Sequence, residues 1–203
     1  MIAIIDYGAG NIKSVINAFK FLGHECVLLS EPGSLKEHSH IVLPGVGAFG
    51  EAMKKLKING MDEAIKEAVK NGKAFIGICL GMQLLFEKSF EFGEHEGLSL
   101  LPGEVVKFDE AKFDKPLKIP HVGWNTLSFK QNSPLRLGLK ELEYLYFVHS
   151  YHVVCDDKFA LAKTTYGYEF TSAVQHENLF GFQPHPEKSH EVGLKILENF
   201  ARL

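Results

Sequence analysis

Between residues 2 and 86, short apolar runs of β-forming residues alternate with segments whose apolar residues recur at helical spacing. That alternation restricts the fold more than any other feature of the chain. "IAII" (2–5) reads as a short buried strand and "DYGAGN" as a turn. Ile12, Val15, Ile16, Phe19 and Leu22 then share one helical face until Gly23 ends the element. "ECVLLS" and "HIVLPG" supply two more strands, helices follow near 49–57 and 61–69, and "KAFIGI" returns to strand. The pattern predicts an α/β fold with a mostly parallel central sheet flanked by helices. After Glu87 the runs "GEVVKF", "TLSF", "YLYFVHSYHVV", "FALAKTTY" and "TSAVQHENLFGFQ" are β-rich with short connections, which predicts an antiparallel β extension with a hairpin turn at "HENL". A final helix, capped at Ser189, is expected to bury Val192, Ile196, Leu197 and Phe200. With neither linker nor internal repeat, the 203 residues read as a single domain, 1–203.

Charge narrows the function classes. Lys and Arg total 22 against 25 acidic residues, a balance of −3, so the basic field that phosphate backbones require is missing and nucleic acid is not an expected partner. "MIAIIDYG" carries no basic leader, and no stretch reaches the roughly 18 apolar residues of a membrane span, so a soluble, cytoplasmic protein is expected. Cys26, Cys79 and Cys155 are odd in number, widely spaced and without a CxxC pair, which argues against a disulfide framework or zinc site. Cys26 and Cys155 lie in strand-like apolar runs and read as small buried hydrophobes. His149 and His152, three apart in a β run, should face opposite ways and not form a metal pair. Neither metal nor cofactor is expected.

Cys79 differs from the other two. In "FIGICLGMQLLF" (75–86) it sits where β-type residues give way to helix formers, framed as G-x-C-x-G by Gly77 and Gly81. Such an elbow ends a strand in a sharp turn that exposes the side chain, while the glycines admit neighbouring backbone. Unpaired N–H groups at the start of the following helix should acidify the thiol, and the Leu80 N–H is placed to receive an oxyanion. A thiolate nucleophile needs a base and a group to orient that base. "GFQPHPEKS" (181–189) offers both, because in an extended segment His185 and Glu187 project to one side. The plainer alternatives are a small residue packed at a βα turn for Cys79 and a solvated loop histidine for His185. A dinucleotide site at "GAGNIK" is disfavoured, because Lys13 stands where the third glycine of the fingerprint belongs.

"GICLGMQLLF" and "HPEKS", together with "IDYGAGNIKSV", "LPGVGAF" and "IPHVGWN" before "YFVHSYHV", resemble the class I, triad-type glutamine amidotransferases over essentially the whole chain. The resemblance implies a Cys79–His185–Glu187 triad that hydrolyses glutamine. It also implies an oxyanion hole completed around Val46 with Leu80, and glutamine held by Gly45, Gly47, Gln83, Ser150 and Tyr151. It implies further that ammonia passes to a partner, a (β/α)8-barrel cyclase subunit in a heterodimer serving histidine biosynthesis, with Asn11, Trp124 and Lys188 at the interface. Two alternatives remain open: an amidotransferase subunit feeding a different synthase, and a non-catalytic regulatory binding subunit. Pro184 departs from the family pattern, which usually has an aromatic residue before the catalytic histidine.

Overall fold

The computed structural model describes residues 1–8 and 10–203. In chain order the elements are β1 (Ile2–Ile5), α1 (Ile12–Phe21), β2 (Cys26–Leu29), β3 (His40–Gly45), α2 (Phe49–Ile58), α3 (Met61–Lys70), β4 (Ala74–Cys79) and α4 (Leu80–Gln83). They continue with β5 (Phe86–Ser89), β6 (His95–Glu96), β7 (Leu101–Lys107), β8 (His121–Phe129), β9 (Leu142–His149), β10 (Tyr151–Val154), β11 (Ala160–Tyr166), β12 (Tyr168–His176), β13 (Leu179–Phe182) and α5 (His190–Ala201). The strands join in one sheet, ordered β2-β1-β3-β4-β13-β12-β10-β7-β5-β6, with β11, β8 and β9 branching from β12. The first five in that order run parallel. From β12 onward the pairings are antiparallel, except β5 with β7.

Alternation along the core strands sorts side chains onto two faces. Ala3, Ile5, Ile41, Leu43 and Phe75 pack with Phe49, Leu56, Met61 and Ile65 of α2 and α3. Ile2, Ile4, Val42, Ile76 and Ile78 pack with Val15 and Phe19 of α1 and with Ile196, Leu197 and Phe200 of α5. Both faces of β1, β3 and β4 are therefore dry, which is why those strands read as unbroken apolar runs, whereas the edge strand β2 leaves Leu28 exposed.

The last strand reaches the core by a hairpin. β12 turns at Glu177–Asn178, with Glu177 at φ 52°, and β13 inserts parallel to β4. Asn178 Nδ2 pins this turn by donating to Val69 O and Lys73 O at 2.9 and 2.6 Å. β13 thereby aims the 183–189 segment at the same sheet end as the close of β4.

Several expectations need correction. The helix after Cys79 is a single turn, and Phe86 already belongs to strand. A single turn carries only a small dipole. Ser189 is the first residue outside α5 but makes no side-chain cap; its Oγ instead donates to His185 O at 2.6 Å and accepts from Tyr146 N at 2.9 Å. Val192 is only half-buried, as are Cys26 and Cys155. His149 and His152 do not face opposite ways: the break between β9 and β10 at Ser150 resets the period, and both rings pack on Phe108, at centroid distances of 5.2 and 4.9 Å.

Candidate active site

Cys79 ends β4 with φ 56° and ψ −111°, a backbone conformation that L residues rarely adopt. The strain is held by close packing on both sides. A Cβ at Gly77 would strike the carbonyl of Gly81, and one at Gly81 would strike the carbonyl of Leu43 on β3. Both glycines of the G-x-C-x-G motif thus let α4 fold back tightly over β4 and β3.

His185 and Glu187 lie at the end of β13. His185 is backbone-extended, and Glu187 reaches it from a 3-10 turn over Pro186–Lys188 rather than from a continued extended segment. His185 Nδ1 donates to Glu187 Oε1 at 2.7 Å, and both side chains are 2% exposed. The histidine backbone is anchored to β9 through its N–H, which donates to Tyr146 O at 2.8 Å. Pro184 therefore leaves the anchoring of His185 intact. Nε2 of His185 and Oε2 of Glu187 are buried without a hydrogen-bond partner among the described residues. Burial opposes charging the ring, but Cys79 and Glu187 outweigh it and raise His185 to about 10.

Cys79 and His185 line one cavity of about 270 Å³ together with Val46, Gly47, Leu80, Gln83, Ser150 and Tyr151. Eight residues singled out from the sequence thus converge on one space, although they come from four separated segments. Glu187 stands behind His185. Gly45 does not line the cavity; it lies one layer deeper, where an added Cβ would strike Tyr7 Oη. A larger cavity of about 610 Å³ along β7, β10 and β12 holds none of these side chains.

Asn11, Trp124 and Lys188 lie outside the cavity. Trp124 is 47% exposed, stacks on His190 at 5.1 Å and meets Tyr146 edge-on at 6.2 Å. The Lys188 ammonium sits 5.9 Å from the same Tyr146 ring. Asn11 precedes α1, which packs on the 186–188 turn.

Four residues near the site escaped sequence reasoning. Glu91, whose Oε2 accepts from Phe49 N at 2.6 Å, and His149 both line the cavity. The Tyr7 hydroxyl is buried without a partner among the described residues; burial, and then the neighbouring Cys79, push its pKa well above the ordinary value. Gln183 is fully buried and donates from Nε2 to Cys79 Sγ at 3.7 Å. Only Gln183 left a usable signal, its spacing of two from His185 in an extended stretch.

The family model described as "Glutamine amidotransferase class-I" matches residues 3–203. The chain belongs to the class I glutamine amidotransferases. Over its full length it is 59% identical to the imidazole glycerol phosphate synthase subunit HisH of Sulfurimonas denitrificans, covering 98% of that protein. It is 52% identical to the subunit of the same name from Wolinella succinogenes, with both chains covered completely. Among solved structures, PurLQS from Thermotoga maritima superposes with a TM-score of 0.77 over 99% of this chain and 97% of the other at 21% identity, a likeness of fold. A crystal structure described as glutamine amidotransferase gives a TM-score of 0.75 at 18% identity, covering 99% and 100%.

Proposed function

We propose that this chain is the glutaminase subunit of imidazole glycerol phosphate synthase and that Cys79, His185 and Glu187 are its catalytic triad. The observation that carries the reading is the convergence of the Cys79 elbow and the Glu187-held imidazole on one cavity. With His185 raised to about 10, the ring holds its proton through the neutral range and can give it to the leaving nitrogen.

The Cys79 thiolate attacks the side-chain amide carbon of glutamine. The carbonyl oxygen becomes an oxyanion, received by the N–H groups of Leu80 and Val46. Collapse of the adduct breaks the C–N bond, and the imidazolium of His185 gives its proton to the departing nitrogen, leaving ammonia and a glutamyl thioester. Neutral His185 then takes a proton from water, the hydroxide equivalent attacks the thioester, and glutamate leaves as the Cys79 thiolate re-forms. Gly47, Gln83, Ser150 and Tyr151 hold the substrate, with Gly45 supporting the oxyanion loop from behind.

Ammonia released into water is mostly protonated and loses its nucleophilicity, so the reaction calls for a shielded partner. That partner is a (β/α)8-barrel cyclase subunit in a heterodimer, which uses the ammonia to form imidazole glycerol phosphate and aminoimidazole carboxamide ribotide. The exposed Trp124 and Lys188 and the partly exposed Asn11 face it, with Trp124 as the aromatic anchor. The chain acts as one domain in the cytoplasm; no helix among the described residues is long and apolar enough to cross a membrane.

The test is Cys79→Ala in complex with the cyclase subunit. Glutamine-dependent synthesis should fall by at least about 10³-fold, the scale seen when a nucleophile is removed, while synthesis from added ammonium salts continues. Loss of both activities, or retention of the first, would refute the assignment.

A further inference from the structure

We propose that Gln183 is a positioning residue for the nucleophile, its side-chain amide N–H holding the Cys79 sulfur. The proposal rests on the reading of Cys79 as the nucleophile and goes beyond the triad.

Hydrogen-bond direction makes the argument. The carbonyl oxygen of Tyr151 can only accept, so the Gln83 amide must present Nε2 to it, at 3.1 Å. The same Nε2 contacts Gln183 at 2.9 Å, which requires an acceptor there, namely Oε1. The NH2 of Gln183 is then left facing Cys79 Sγ at 3.7 Å. Reversing either amide would set oxygen against oxygen or nitrogen against nitrogen in a buried space.

The anchor at Tyr151 is itself fixed. His149 Nδ1 donates to the same carbonyl at 2.8 Å, so its Nε2 accepts from His121 Nδ1 at 2.9 Å, and His121 Nε2 accepts from Asn125 Nδ2 at 3.1 Å. Every proton in the series is therefore directed, ending on sulfur.

Gln183 is 0% exposed, so this donor has no water to turn to, and leaving it unmade would carry a full desolvation penalty. An N–H aimed at sulfur favours the charged form over the neutral one. The neutral thiol has its own acceptor, Val148 O at 3.9 Å, which is released on ionisation. Gln183 would then hold the thiolate with a donor from the same strand end that carries His185, two residues on.

The experiment uses Gln183→Leu and Gln183→Glu in the complex with the cyclase subunit. It reads the pH midpoint of Cys79 alkylation by iodoacetamide, and kcat and KM for glutamine, with ammonia-dependent synthesis as control. Gln183→Leu should move the alkylation midpoint up by about one pH unit and lower kcat about tenfold, with KM within about twofold. Gln183→Glu keeps an acceptor for Gln83 but turns a carboxylate oxygen toward sulfur, and should shift the midpoint further in the same direction. Unchanged midpoints with only thermal stability lost would overturn the proposal. A measurement on the unaltered protein covers the case in which neither variant folds: the side-chain 15N–1H resonances of Gln183 should move as Cys79 titrates, and their staying fixed would equally overturn it. Failure of the underlying reading looks different, since Cys79 of the unaltered protein would then resist alkylation at every pH tested or Cys79→Ala would keep its glutamine-dependent activity.

Discussion

Glu187 acts on the site through one hydrogen bond, 2.7 Å to His185 Nδ1, in a setting where neither side chain reaches solvent. Replacing it by Gln keeps the size and an acceptor oxygen but removes the charge that helps hold His185 at about 10. The His185 midpoint in Glu187→Gln should therefore fall, as followed by NMR of the imidazole ring, and kcat for glutamine should fall about 10- to 100-fold as the imidazolium is depopulated. The sign for stability follows from the raised value. The charged ring stabilises the folded state fully below the ordinary 6.5, and that contribution is lost as pH rises through about 10; in the variant the contribution is smaller and its loss, still starting near 6.5, is complete at lower pH. A ring midpoint unmoved by the substitution would show that the carboxylate does not tune the base. At this scale the residues were largely legible: Cys79, His185 and Glu187 stand in short motifs whose chemistry is local. Tyr7 was not, because nothing in its own segment reveals that a hydroxyl will be buried against Gly45, and Gln183 only in part, since its spacing of two from His185 puts it on the same side but does not reveal an amide meeting a sulfur.

The elbow is the element on which the geometry turns. β4, α4 and β3 approach so closely that Gly81 has no room for a side chain: its added Cβ would overlap the Leu43 carbonyl, which belongs to rigid strand backbone and cannot swing aside. Gly81→Ala should destabilise the protein by about 3 kcal/mol, the upper end of the usual cost of overpacking, because the clash is with fixed backbone. It should also lower glutamine turnover, because relief of the clash shifts Cys79. Urea unfolding and steady-state kinetics would check this, and a near-neutral stability change would mean the turn is more tolerant than its packing indicates. The strand at 74–79 was readable from its apolar run, but the length of the helix after it was not. "LGMQLLF" has strong helix formers, yet Phe86 is taken by β5, which pairs with β7, and tertiary pairing overrides propensity. The same holds at Ser150, where a break between β9 and β10 placed His149 and His152 on one side against the period of two.

Over the whole molecule, the antiparallel extension buries histidines as neutral rings. His121 lies stacked between Tyr166 and Phe147, at centroid distances of 4.0 and 4.8 Å, and burial lowers it to about 4 and His149 to about 3. In the unfolded chain both would titrate near 6.5. As pH falls from about 6.5 toward 4, the unfolded state takes up protons that the folded state refuses, and stability declines by up to about 1.4 kcal/mol per pH unit for each ring. Urea midpoints should accordingly drop between pH 7 and 5, and His121→Phe should flatten that slope while preserving the stack; an unchanged slope would place the acid sensitivity elsewhere.

The order of most strands and helices, the dry parallel core and the three side chains proposed as a triad can be read from the sequence alone, because periodicity, turn residues and short motifs act within a few residues of one another. What the tertiary structure decided is which distant atoms meet: β13 slotting beside β4, the Tyr151 carbonyl orienting two amides, the Trp124 face turned outward. Those contacts join segments up to about a hundred residues apart, and their energy depends on distance and direction in space, quantities that no local pattern along a chain encodes.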